Sequence, residues 1–138
     1  MLKDIPKLVV EDIAIAIVPK ENEIEVEGEE SLWEVYIINL REEVITNVII
    51  SSKGYGSLNG ETVKTSVLRH FLGTIQPLDL MLVEPITEKV FGLNNEYWVS
   101  FYVKDQIFDK KFIFLPETIN SSNFTRIPFM DKKGVMIR

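Results

Sequence analysis

Six short runs of β-branched and aromatic residues, at 13–18, 32–40, 44–52, 78–83, 96–103 and 111–115, are separated by turn-forming residues, and no apolar stripe of helical period joins them. Alternation at a period of two over such lengths describes strands with one face buried. The chain is therefore expected to be all-β: one domain over residues 1–138, folded as an immunoglobulin-like antiparallel β-sandwich of about seven strands. This pattern constrains architecture strongly and chemistry hardly at all.

Ile13, Ile15 and Ile17 fall on one face of the first run with Ala14 and Ala16 opposite, and Pro19 withdraws a ladder donor at its end. In the second run Trp33, Val35 and Ile37 share a face, while Glu34, Tyr36 and Ile38 take the other. Residues 39–43 are expected to turn the chain back, making a hairpin with 44–52. The segment 53–60 holds Gly54, Tyr55, Gly56 and an Asn59-Gly60 pair, the composition of a turn. Residues 63–72 fit either a short helix or a strand, and the β-branched content favours the strand. The run at 78–83 is expected to end at Pro85. Tyr97, Val99, Phe101 and Val103 then face Phe108, Phe112 and Phe114 across a second hairpin. The closing run from Gly134 to Arg138 is expected to pack on the body or on a neighbouring molecule.

Charge narrows the partners. The net charge is −6, and residues 1–30 hold nine acids against three lysines, whereas the remaining 108 residues balance at twelve of each sign. Six glutamates fall within residues 21–30, expected to be a solvated loop, with Ile24 and Val26 alternating as a ragged edge strand would. An acidic balance argues against a general nucleic-acid surface, because such affinity comes mainly from Lys and Arg displacing counterions. Four bases near the end, Arg126, Lys132, Lys133 and Arg138, read as solubilising. Without cysteine there is neither a disulfide framework nor a thiolate metal site. No signal-like start and no apolar run of membrane-spanning length occur, so the expected location is the cytoplasm, with no membrane contact.

Candidate chemistry is sparse. The single histidine, His70, follows Arg69, and its nearest sequence candidates for a partner are Glu61, Ser66 and Asp79. None stands in a recognised catalytic spacing, and a structural or surface histidine is the simpler reading. Gly54-Tyr55-Gly56 lacks the remaining glycines and following helix of a phosphate loop. The glutamates at 21–30 lack the residue order of a calcium loop, so no metal and no cofactor is expected. Trp98, Tyr102 and Tyr36 lie opposite the apolar faces; they form either an exposed aromatic strip suited to a protein partner or a layer against the second sheet. The ligand or interaction candidates are thus Arg69, His70, Tyr55, Trp98 and Tyr102, with no catalytic residue assigned.

Several stretches carry a likeness: Trp33-Glu34-Val35-Tyr36, Ser52-Lys53-Gly54-Tyr55-Gly56, Leu68-Arg69-His70-Phe71, Val83-Glu84-Pro85-Ile86, residues 95–101, Asp109-Lys110-Lys111 and residues 132–138. Through them the chain resembles a family of short bacterial proteins of undefined function. Some members carry an automatic label as a phenylalanyl-tRNA synthetase alpha subunit. That label implies an Arg-x-Glu strand motif and a motif ending in Glu-Arg; here Arg126-Ile127 is followed by Pro128, and no Glu-Arg pair exists. The label is not supported by these motifs.

The sequence thus describes a non-enzymatic interaction module, binding a protein partner or a second copy through exposed strand edges and an ordered tail. Two alternatives stand beside it: a small enzyme or ligand-binding protein centred on His70, and an RNA-associated accessory protein.

Overall fold

A computed structural model describes residues 9–20 and 31–138. Ten strands are present among them: β1 (Ile13–Pro19), β2 (Leu32–Asn39), β3 (Ile45–Leu58), β4 (Glu61–Lys64), β5 (Leu68–Ile75), β6 (Asp79–Thr87), β7 (Asn94–Val103), β8 (Gln106–Phe114), β9 (Thr125–Arg126) and β10 (Lys133–Ile137). All pairings are antiparallel. They form two sheets, one in the order β6-β2-β1-β10-β9 and one in which β3 pairs with β7 on one side and with β4 and β5 on the other, β8 lying outside β7. The all-β sandwich read from the sequence is the observed class.

The core is the meeting of the two inner faces. Ile13, Ile15, Ile17, Trp33, Val35 and Ile37 from the first sheet pack with Ile45, Val48, Ile50, Val99, Phe101, Phe112 and Phe114 from the second. Tyr97 meets Phe114 edge-on at 6.1 Å, and Phe101 stacks on Phe108 at 5.6 Å. The alanines opposite the first isoleucines are small for a reason: Ala14, Ala16 and Val18 lie in a second cluster with Ile38, Ile127, Met130 and Met136, where the segment before β10 crosses the outer side of the first sheet. The tail is tied to the body as expected, β10 pairing with β1 through Ile15–Ile137 and Ile17–Val135.

Three expectations are corrected. The runs at 32–40 and 44–52 do not form a hairpin: β2 pairs with β1 and β6, β3 with β4, β5 and β7, and the chain crosses from sheet to sheet between them. Asn39 holds that crossing. Fully buried, it donates through Nδ2 to the carbonyls of Glu43 and Gln76, at 2.9 and 3.1 Å, and accepts from the Arg41 amide. Lys53 to Ser57 is strand and not turn, the only reversal being Asn59-Gly60 with φ of 53° and 80°, both left-handed as a two-residue I′ hairpin requires. Proline does not stop β6, which runs on to Thr87; it is an edge strand, where a missing donor is tolerated. Residues 63–72, where strand was favoured over helix, are strand, with a break at 65–67 between β4 and β5. The acidic loop expected at 21–30 lies outside the described residues.

Candidate functional site

Two places gather polar and exposed aromatic side chains. The first is the edge of the sandwich where β5 and β6 bring the two sheets together. On β5 the alternation turns Leu68, His70 and Leu72 inward, His70 standing opposite the buried Ile50. On β6 the register against β2 slips: Val35 pairs with Glu84 but Tyr36 with Leu82, leaving Val83 as an extra residue. This bulge lets consecutive residues, Val83 and Glu84, both point into the interior, which simple alternation forbids.

Glu84 is 7% exposed. Its Oε2 stands 3.6 Å from His70 Nε2, an ion-pair distance but too long for a hydrogen bond, and that nitrogen makes no hydrogen bond of its own. The Tyr97 hydroxyl, from β7, donates to the same carboxylate. Burial, the charge of Glu84 and this hydrogen bond together hold the phenol well above its ordinary range. Carboxyl, imidazole and phenol thus form a clasp joining the edge of one sheet to two strands of the other. A cleft of about 350 Å³ opens beside it, bordered by Ser52, Gly54, Thr65, Ser66, Leu68 and Tyr97.

The second place is the outer face of the second sheet. Its rows read Lys64, Tyr55 and Asn94; Lys53, Glu96 and Ile113; Arg69, Ser51, Trp98 and Lys111; Phe71, Ile49, Ser100 and Asp109; and Thr46, Tyr102 and Ile107. Large apolar groups stand open here: Phe71 is 76% exposed, and Trp98, Ile107 and Ile49 are also exposed. Glu96 is sunk beneath two lysines, with Lys53 Nζ at 3.5 Å and Lys111 Nζ at 3.8 Å. Lys111 also lies over the Trp98 ring, 4.9 Å from its centroid, and Lys53 lies 5.7 Å from that of Tyr55.

Of the five residues singled out from the sequence, Arg69, Tyr55, Trp98 and Tyr102 share this outer face, and His70 is on the inside. Arg69 and His70, adjacent in the chain, are thereby parted by the thickness of the sheet. The glycine turn expected near them is strand, and only Gly54 reaches the cleft. Glu61, Ser66 and Asp79 are not the partners of His70; Glu84 is, and its signal was the Val83-Glu84-Pro85 stretch, where a bulge before proline is invisible to a period-of-two reading. Tyr36 is separated from Trp98 and Tyr102, belonging to the outer side of the first sheet beside the second cluster. The bases of the tail are dispersed as well, Arg138 bridging to Asp12 at 2.7 Å. Phe71 and Ile49 were missed as surface features because their neighbours Leu72 and Ile50 are core, so the apolar run conceals which members face out. Among the described residues no group of three or more acids and histidines is placed to hold a metal ion, and no helix is long and apolar enough to cross a membrane.

No protein-family model matches the sequence, and no curated protein matches it. The geometry of the two places is what bears on function.

Proposed function

We propose that this chain is a non-enzymatic interaction module that binds an acidic protein segment with apolar anchors across the outer face of its second sheet. The observation that carries this reading is the composition of that face. Phe71, Trp98, Ile49 and Ile107 stand exposed among four cations, Lys53, Lys64, Arg69 and Lys111, against two acids, Glu96 and Asp109. A face positive in balance on a chain of net charge −6 attracts acidic segments, while two such faces brought together would repel each other. Exposed aromatic and arginine side chains are the residue types that dominate binding energy once covered. A protein segment fits better than a nucleic acid. Two of the four cations are already turned onto Glu96, and Lys111 occupies the Trp98 face on which a base would stack. His70, engaged in the clasp on the inner side, takes no part.

The test uses a fluorescent peptide alternating Glu with Ile and Leu, titrated into the whole chain at rising salt. Binding that weakens with salt, and that falls at least about tenfold in Phe71→Ser and in Trp98→Ala with unchanged thermal unfolding, supports the reading. Absence of binding, equal binding by both variants, stronger retention of single-stranded RNA, or a concentration-dependent dimer lost in the same variants would overturn it.

A further inference from the structure

We infer that the cleft beside the His70–Glu84–Tyr97 clasp is a binding site for a small molecule carrying an ammonium group on a compact apolar body. The cleft exists because the pairing of β3 is interrupted. Tyr55 pairs with Lys64 and Ser52 with Leu68, and between them residues 65–67 strap across without a ladder of their own. The strap is fixed to β3 at one point: the Gly54 amide donates to Thr65 Oγ1 at 2.7 Å, and the Thr65 amide donates to the Gly54 carbonyl at 2.8 Å. Gly54 suits this close approach, since a Cβ there would press on the Thr65 methyl at 3.1 Å. The opening left between strap and β6 has a volume of about 350 Å³, within the range of small-molecule sites.

The lining sets the ligand's chemistry. Its one carboxylate, Glu84, accepts from Tyr97 and stands beyond hydrogen-bond reach of His70. A carboxylate has about four acceptor positions, so capacity remains on the cleft side. Lys53 also borders the opening, but its ammonium is directed to Glu96 on the outer face. Ser52, Thr65 and Ser66 contribute hydroxyl oxygens, and Leu68, Pro85, Ile86 and Val90 supply an apolar wall. A nearly buried carboxylate in a half-enclosed cleft, ringed by acceptors and backed by hydrocarbon, favours a cationic head on a greasy body over an anion or a sugar.

The experiment is a pair of amide-resonance titrations on the whole chain, with benzylammonium and with benzyl alcohol as its neutral counterpart. Saturable shifts confined to Ser52, Ser66, Leu68, Glu84 and Tyr97, with the alcohol at least about tenfold weaker, are expected. Glu84→Gln removes the preference for the ammonium. Leu68→Trp, at a half-exposed position of the rim, excludes both probes without touching the clasp, and so reports even if the Glu84 variant folds poorly. Trp98→Ala leaves the titration unchanged, separating this site from the outer face. No saturable shift in the parent chain, equal affinity for the two probes, or full binding by Leu68→Trp would overturn the assignment.

Discussion

Gly134 stands where β10 passes closest to β1. A Cβ at this position would collide with the carbonyl oxygen of Ile17 and press on a Val18 methyl at 3.0 Å. Backbone cannot step aside as a flexible side chain can, so Gly134→Ala is expected to cost about 1–3 kcal/mol, an overpacking penalty, and to lower the midpoint of chemical denaturation. An unchanged midpoint would show that the ribbon shifts freely. Nothing in the local sequence announces this role. Lys133-Gly134-Val135 reads as a turn residue beside a short apolar run, and the demand for glycine comes from a strand more than a hundred positions earlier. Asn39 is similar: a polar residue ending an apolar run reads as a turn former, and its actual service, bonding the carbonyls of Glu43 and Gln76, depends on where the chain goes next.

At the level of the strand, the alternation assigns Phe112 and Phe114 to the core and leaves Phe71 outside. Phe112→Ala or Phe114→Ala is expected to destabilise the chain by about 3–5 kcal/mol. Phe71→Ala, at 76% exposure, is expected to fall within about 0.5 kcal/mol of the parent. Chemical denaturation of the three variants checks both halves of the contrast, and a large loss from Phe71→Ala would place that ring in the core. Inner faces of β7 and β8 were legible because each pairs a strict period of two with a single apolar side, and those of β1 and β2 because their larger apolar residues alternate onto one side although the other is covered as well. Connections were not. A hairpin and a sheet-to-sheet crossing both present two amphipathic strands joined by a short connection with a charged centre, here Arg41-Glu42-Glu43, and the difference is decided by which partner edge is left open. The extension of β3 through Gly54 and Gly56 was hidden for a related reason: glycines read as turns, whereas here the strap at 65–67 lies close over Gly54 and Gly56 takes a φ of 152° within the strand.

For the molecule as a whole, the clasp at the β5–β6 edge ties one sheet to the other through a carboxyl, an imidazole and a phenol. Tyr97 has its folded pKa raised, so its neutral form is the one the fold prefers. A group of this kind contributes stability that is complete below its unfolded value, about 10, and lost as pH climbs from there toward the folded value. The parent chain is therefore expected to lose unfolding free energy more steeply above about pH 10 than Tyr97→Phe does. Parallel slopes for the two proteins, followed by urea denaturation, would show that the phenol is not coupled to folding. The site was less legible than the fold. Sequence adjacency joined Arg69 to His70, but a strand sends neighbours to opposite sides, while Glu84 came to the imidazole by way of a register slip on another strand. The outer face was partly legible, since Trp98, Tyr102, Tyr55 and Arg69 were each singled out, yet their union with Phe71 and Ile49 needed the pairing of β3 with β5 and β7.

The bond between β1 and β10 also bears on how the chain acquires its shape. Ile15 meets Ile137 and Ile17 meets Val135, so one side of a central strand waits for residues made more than a hundred positions later. Loop closure over such a span is slow, and topologies dominated by distant pairings fold in milliseconds to seconds. While synthesis proceeds, that waiting side exposes Ala14, Ala16 and unsatisfied amides to any passing strand. Emergence of β10 is the moment at which this vulnerability ends.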